Sequence, residues 1–146
     1  MKQLTLEDLQ AKALNLLSFR PRSVNEMKFR LKRLGAELTL VEKLVEILVA
    51  DGVLSDDRFA AWWVEQRCRF RPKGNSALKS ELMQKGVSSD VIAGVLLTSD
   101  QEKMLAKDLV NRRKWADRDT ITSRLFSRGF STATVSAIID EKRQEE

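Results

Sequence analysis

Residues 23–45 read SVNEMKFRLKRLGAELTLVEKLV, and this stretch decides the fold. Ser23 stands three residues before Glu26, the spacing of a capping box in which hydroxyl and carboxylate each close on the other residue's backbone amide. Met27 and Leu31 follow at helical spacing, Gly35 supplies a left-handed stop, and Val41, Leu44 and Val45 open a second apolar stripe. The pattern occurs three times. Four residues before Gly35, Gly86 and Gly129 stand Leu31, Leu82 and Leu125, and eight before stand Met27, Leu78 and Ile121. Six after stand Val41, Ile92 and Val135, nine after Leu44, Val95 and Ile138, and ten after Val45, Leu96 and Ile139. Five apolar positions matching in three copies mark an internal repeat with connections of different length.

Working outward, Leu6, Leu9, Ala13, Leu14 and Leu17 predict a first helix after Thr5, ended by Arg20-Pro21 because proline constrains the residue before it. Thr39 with Glu42 reads as the cap of the third helix, which Gly52 stops. Ser55 or Asp56 opens the fourth, with Leu54 and Phe59 spaced as a hydrophobic staple if Ser55 is the cap, and Arg71-Pro72-Lys73-Gly74 breaks it. Asn75 or Ser76, then Ser88 or Ser89, open the next two. Ser99 with Glu102 reads as a further capping box, Asp117 caps the eighth helix, and Ser131 or Thr132 starts the last. A lone short helix is unstable, and three make the smallest closed core. The expected fold is therefore all-α, an elongated tandem array of three three-helix modules at residues 1–52, 53–98 and 99–146.

Composition supports folded helices: of 146 residues 42% are hydrophobic and 32% charged, with 6 glycines and 2 prolines. Cys68 is the one cysteine, so no disulfide closes within the chain. With 0 histidines the sequence lacks the commonest metal ligand and the side chain that titrates near neutrality, which excludes a His-containing triad. No cofactor or metal is expected. The opening MKQLTLEDLQ has no apolar signal run and no stretch reaches membrane-spanning length, so a cytoplasmic monomer without membrane contact is the expectation.

The net charge of +5 is unevenly distributed. Arg20 to Arg33 carries six basic residues against Glu26, and Arg67 to Lys85 carries six against Glu81, whereas Glu37 to Asp57 carries six acidic residues against Lys43. Two basic entrances suit a polyanion or an acidic protein surface. Arg20, Arg22, Lys28, Lys32, Arg67, Arg69, Arg71, Lys73, Lys79 and Lys85 are the candidate partner-binding residues. The turn at residues 71–76 either breaks a helix or feeds anion-binding amides, without the spacing of a phosphate loop. Asp56 and Asp57 read as a cap and a dipole partner rather than paired catalytic carboxylates. Cys68 reads as a small, semi-buried hydrophobe, Trp63 as core and Trp115 as a module anchor, while Trp62 stands open between packing and partner contact. No nucleophile, base and orienter come together, so an enzyme is not expected.

The run Gly52-Val53-Leu54-Ser55-Asp56-Asp57-Arg58-Phe59-Ala60, followed by Arg67-Cys68-Arg69, Gly74 and Leu78-Lys79-Ser80-Glu81-Leu82-Met83-Gln84-Lys85-Gly86-Val87, resembles the central signature of the RecX family. Ala13-Leu14 through Pro21-Arg22-Ser23, Glu26 and Leu31 to Gly35 is similar to that family's first module. Gly52-Val53 replaces the usual aromatic-glycine-like pair, and Pro72 interrupts a turn that is usually compact and basic. The resemblance implies a non-enzymatic regulator, mainly an inhibitor, of the RecA recombinase. Such a protein lies along the groove of the RecA filament on single-stranded DNA and limits its extension, ATP hydrolysis, strand exchange and coprotease activity in the SOS response. It also implies that Asp56, Asp57, Arg58 and Phe59, with Trp63, Leu82 and Gly86, organise the central module. The competing expectation is an independent DNA-binding helical protein without base specificity.

Overall fold

A computed structural model describes residues 3–145, all of whose regular structure is helical. Among the described residues nine helices follow one another: α1 Leu6–Phe19, α2 Val24–Arg33, α3 Leu38–Ala50, α4 Asp56–Phe70, α5 Asn75–Gln84, α6 Ser89–Val95, α7 Ser99–Arg113, α8 Arg118–Ser127 and α9 Thr132–Glu145. The array is elongated. A compact globule of this mass exposes about 7,600 Å², whereas this chain exposes 9438 Å².

Three cores divide the apolar side chains. Leu9, Met27, Leu31, Val41, Leu44 and Leu48 of α1, α2 and α3 close the first, with Leu54 from the turn after α3. Phe59, Val64, Leu78, Leu82 and Ile92 of α4, α5 and α6 close the second, with Val87 from the α5–α6 turn. Leu109, Val110, Ile121, Leu125, Val135, Ile138 and Ile139 of α7, α8 and α9 close the third, with Phe130 from the α8–α9 turn. Of the fifteen repeat positions read in the sequence, all are buried except Val95 and Leu96, which are half-buried against the second core. Leu54 and Phe59, spaced as a hydrophobic staple, enter different cores, Leu54 the first and Phe59 the second.

Local chemistry sets most helix ends. Thr5 and Asp8, and Ser23 and Glu26, form reciprocal capping boxes; Ser55 caps α4, Ser88 caps α6 and Asp117 caps α8. Gly35, Gly86 and Gly129 lie at φ 84, 79 and 82, the left-handed conformation that closes a helix. The amides of Val87 and Phe130 bond back to the carbonyls of Leu82 and Leu125 while their side chains enter the cores.

Three expected caps differ. Helix α3 begins at Leu38 after Glu37, without a side-chain cap, so Thr39 lies inside the first turn. Helix α5 opens at Asn75, as expected, with Gly74 at its cap. The box at α7 is Thr98 with Gln101, one residue earlier than Ser99 with Glu102. Asp56 is the first residue of α4 and does not cap it: its Oδ1 accepts the Val24 amide at 2.8 Å, tying the start of α4 to the start of α2.

Alanine at Asp56 is expected to cost about 1.5 kcal/mol, read as a lower urea midpoint, because it orphans the Val24 amide across a module junction. An unchanged midpoint would mean that water replaces the carboxylate without loss.

Candidate polyanion-binding surface

Helix α4 carries the centre of this surface, since its register buries Phe59 and Val64 and turns Trp62, Trp63, Arg67 and Phe70 outwards by degrees. Trp63 is half-buried rather than fully enclosed, and its indole N–H donates to Glu81 Oε1 at 3.1 Å. Arg67 grips the same carboxylate through Nε at 3.1 Å and Nη2 at 2.7 Å. Its guanidinium lies 5.1 Å from the centre of the Trp63 ring, and Lys85 Nζ lies 5.5 Å from it.

Lys85 also reaches Glu26 of the first module at 3.4 Å. Glu26 holds Arg20 at 2.6 Å and accepts the Ser23 amide, while Arg20 packs 5.5 Å from the Trp62 ring. Burial pushes the Glu26 carboxyl up, but hydrogen bonds from Arg20 and Ser23 and the charges of Arg20 and Lys85 outweigh it and hold the group below its ordinary value. Arg20, Arg67 and Lys85 therefore have their charge compensated within the fold. Lys85 through Glu26 and Arg20 through Trp62 brace the first module against the second, while Arg67 ties α4 to α5 within the second. Gly86 fits this junction closely, since a Cβ there would stand 2.8 Å from the Asn25 side chain.

The other sequence candidates are more open. Arg22 donates to the Leu16 carbonyl at 3.4 Å; Lys28 is half-buried on α2 and Lys32 exposed. Arg69 makes a loose pair with Glu65 at 3.6 Å, both largely exposed. Arg71, Lys73 and Lys79 make no ion pair among the described residues, and Lys79 stands exposed on α5. Asp57 and Arg58 are exposed at the start of α4. Cys68 is half-buried beside the second core, and burial pushes its thiol up, away from the reactive thiolate. No group of three or more His, Cys, Asp or Glu that could hold a metal lies among the described residues, and no described helix is long and apolar enough to cross a membrane.

Two adjoining clefts escaped the sequence reading. One, of about 250 Å³, is lined by Trp62, Trp63, Gln66, Arg67, Phe70 and Arg71. The other, of about 320 Å³, shares Phe70 and Arg71 with it and is completed by Pro72, Lys73, Leu109, Arg113, Ser127 and Arg128. The second cleft is lined by four cations and no carboxylate. Arg128 sits 5.1 Å over the Trp115 ring and bonds the Arg124 carbonyl; burial, then the charges of Arg113 and Arg124, lower its pKa. The sequence signal was available in Arg112-Arg113-Lys114 and in the four-residue spacing of Arg124 and Arg128, but only the fold brings Arg113 and Arg128 beside Lys73.

What holds the cleft together is a junction of backbone and one buried acid. The Gly74 amide donates to the Arg128 carbonyl at 2.8 Å and the Ser76 amide to Gly129 at 3.1 Å. Glu102, buried at 3% exposure, accepts from the Asn75 amide at 2.8 Å, the Ser131 amide at 3.1 Å and the Thr134 hydroxyl at 2.6 Å. Asn75 in turn holds both the carbonyl and the amide of Leu97.

Comparison with known proteins agrees with this arrangement of modules. Residues 11–48 match the RecX first three-helix domain and residues 55–96 the RecX second three-helix domain. Regulatory protein RecX of Prosthecochloris aestuarii is 32% identical over 89% of this chain and 90% of its own. Regulatory protein RecX of Halalkalibacterium halodurans is 29% identical over all of this chain, which spans only 61% of that relative's length. The crystal structure of RecX from Lactobacillus salivarius superposes with a TM-score of 0.78 at 23% identity, over 95% of this chain and 97% of its own, which establishes the common fold. With these matches extending through the first two modules and, in the first relative, across nearly the whole of both sequences, the chain belongs to the RecX family of regulatory proteins.

Proposed function

We propose that this chain regulates, and mainly inhibits, the RecA recombinase by binding along the groove of the RecA filament on single-stranded DNA, as a cytoplasmic monomer. Bound there it limits filament extension and with it ATP hydrolysis, strand exchange and coprotease activity. The observation that carries the reading is membership of the RecX family, shown by matches to two of its three-helix domains in this chain. The physical support is an elongated array whose uncompensated cations, Arg71, Lys73 and Lys79, lie on one helix end and the helix that follows it. An extended cationic surface suits a long, negatively charged partner better than a small ligand.

The test is DNA-dependent ATP hydrolysis by the cognate RecA as the chain is titrated from far below to equal molarity. Inhibition is expected well below one copy per RecA protomer, the mark of action on filament growth. Unchanged hydrolysis at equal molarity would remove the reading. Charge reversal at Arg69 and Lys79 is expected to raise the concentration for half inhibition about tenfold, since loss of one or two charge contacts amounts to about 1.4 kcal/mol. Arg67 is the poorer probe: a glutamate there would face Glu81 and report on folding.

A further inference from the structure

We propose that the paired clefts along the end of α4, where the second and third modules meet, form a direct binding groove for single-stranded DNA, with phosphates on Arg71, Lys73, Arg113 and Arg128 and a base stacked on Phe70. The inference rests on the reading above for the identity of the polymer. It goes further in assigning the strand itself, rather than RecA protein, to a particular groove that spans two modules.

Three observations carry it. First, four cations from the α4–α5 turn, the end of α7 and the end of α8 converge with no carboxylate among the lining residues. Such a concentration of like charge is relieved only by an anion, and phosphodiesters supply regularly spaced charge. Second, Phe70 is 71% exposed among these cations, with the Arg69 guanidinium 5.8 Å from its ring. An exposed aromatic ring among cations is the arrangement that stacks an unpaired base while its neighbours track the backbone. Third, Phe70 and Arg71 belong to both clefts, so the cationic cleft continues directly into the aromatic one at Trp62 and Trp63. Duplex DNA hides its base faces, and an acidic protein surface would use the cations but not the rings. A single strand uses both.

The experiment is fluorescence anisotropy of a labelled oligodeoxythymidine titrated with the full chain in the absence of RecA, repeated at rising salt. Binding is expected to weaken steeply with salt. The double variant Lys73→Glu/Arg113→Glu is expected to weaken it at least tenfold and to flatten the slope of log affinity against log salt by about 1.4, two single-strand phosphate contacts at about 0.7 each. Phe70→Ala is expected to weaken binding about tenfold and leave that slope unchanged, because stacking releases no counterion. Lys12→Glu/Lys43→Glu changes the net charge equally, on exposed positions of α1 and α3, and is expected to stay within about twofold of the parent.

Helicity by circular dichroism accompanies each variant; Arg113→Gln, which adds no charge, serves if the double variant loses it. Equal weakening by the Lys12/Lys43 pair, or parental affinity in both cleft variants, overturns the assignment. So does a parent chain that fails to bind the oligonucleotide at low salt while the cleft variants lose RecA inhibition, since the groove then takes acidic protein. If the cleft variants lose the oligonucleotide and the parent leaves RecA hydrolysis untouched, the groove stands and the regulatory reading falls.

Discussion

Replacing Glu102 by glutamine is expected to destabilise the fold by about 3 kcal/mol, although the two side chains have nearly the same shape. Every group that meets the Glu102 carboxylate is a donor: the Asn75 amide on Oε2, and the Ser131 amide and Thr134 hydroxyl on Oε1. The Thr134 hydroxyl has its other side occupied by the Ser131 hydroxyl, which donates to it at 3.0 Å, so it is not free to reverse without breaking that bond. Whichever way a glutamine amide turns, its NH₂ meets a backbone N–H inside the junction of the second and third modules. Alanine, leaving all three donors unpaired, is expected to cost about 4 kcal/mol. Asp140→Asn, on the exposed face of α9, is the matched control and is expected to stay within about 0.5 kcal/mol.

The same site makes a pH prediction. Burial pushes the Glu102 carboxyl up, yet the hydrogen bonds from Thr134, Asn75 and Ser131 outweigh it and hold the group below its ordinary value of 4.5. A carboxyl depressed in the folded state stabilises fully above its unfolded pKa and loses that contribution as pH falls through the folded one. The gap in urea midpoint between the parent and Glu102→Gln should therefore be constant at neutral pH and narrow below about 4.5. Because Glu26 titrates in both proteins, the difference isolates Glu102. A gap that persists unchanged into acid would mean that the carboxylate's charge is not what the junction uses.

Glu102 also shows where a single sequence stops being readable. Thr98 with Gln101 and Ser99 with Glu102 both have the spacing of a capping box. The structure uses the first pair, which frees Glu102 to turn inward, towards partners 27 to 32 residues away. Asp56 has the same history: its acceptor role towards Val24 lies 32 residues off, while its place at a helix start suggested a cap. By contrast the stops at Gly35, Gly86 and Gly129 and the apolar positions around them depend on φ preference and helical period alone, and these were legible. Helix α3 is the exception among local signals, because no side chain caps it and nothing in Glu37-Leu38-Thr39 marks its first turn. Basic residues were visible as clusters along the chain, but not which of them the fold neutralises. Arg20, Arg67 and Lys85 are indistinguishable by sequence from Arg71 and Lys73. Only the placement of Glu26 and Glu81 separates the bracing cations from the open ones.

Gly74→Ala is expected to cost about 3 kcal/mol, and the reason is spatial rather than conformational. Gly74 caps α5 at φ −81 and ψ 172, which alanine adopts freely, so the local backbone term favours the substitution slightly. The added Cβ, however, would stand 2.5 Å from the Gly129 carbonyl oxygen and 2.5 Å from the Phe130 nitrogen, against backbone that has no rotamer in which to retreat. The α8–α9 turn must withdraw, stretching the Gly74 to Arg128 and Ser76 to Gly129 hydrogen bonds together. Gly129→Ala approaches from the other side, placing its Cβ 2.5 Å from that of Ala77, and adds a strained φ of +82; about 4 kcal/mol is expected. Gly94→Ala, in a helix with nothing within 4 Å, should instead stabilise by about 0.5 to 1 kcal/mol. Because the second and third cores share no buried residue, the junction can open while both remain packed. Hydrogen exchange separates the two cases: the amides of Gly74 and Ser76 should lose protection in Gly74→Ala while those inside α8 keep theirs. Protection retained at both amides would show that the close approach is not what fixes the modules. If it is lost, Lys73 and Arg128 lose their common frame, and oligonucleotide affinity should fall although no cation has been removed.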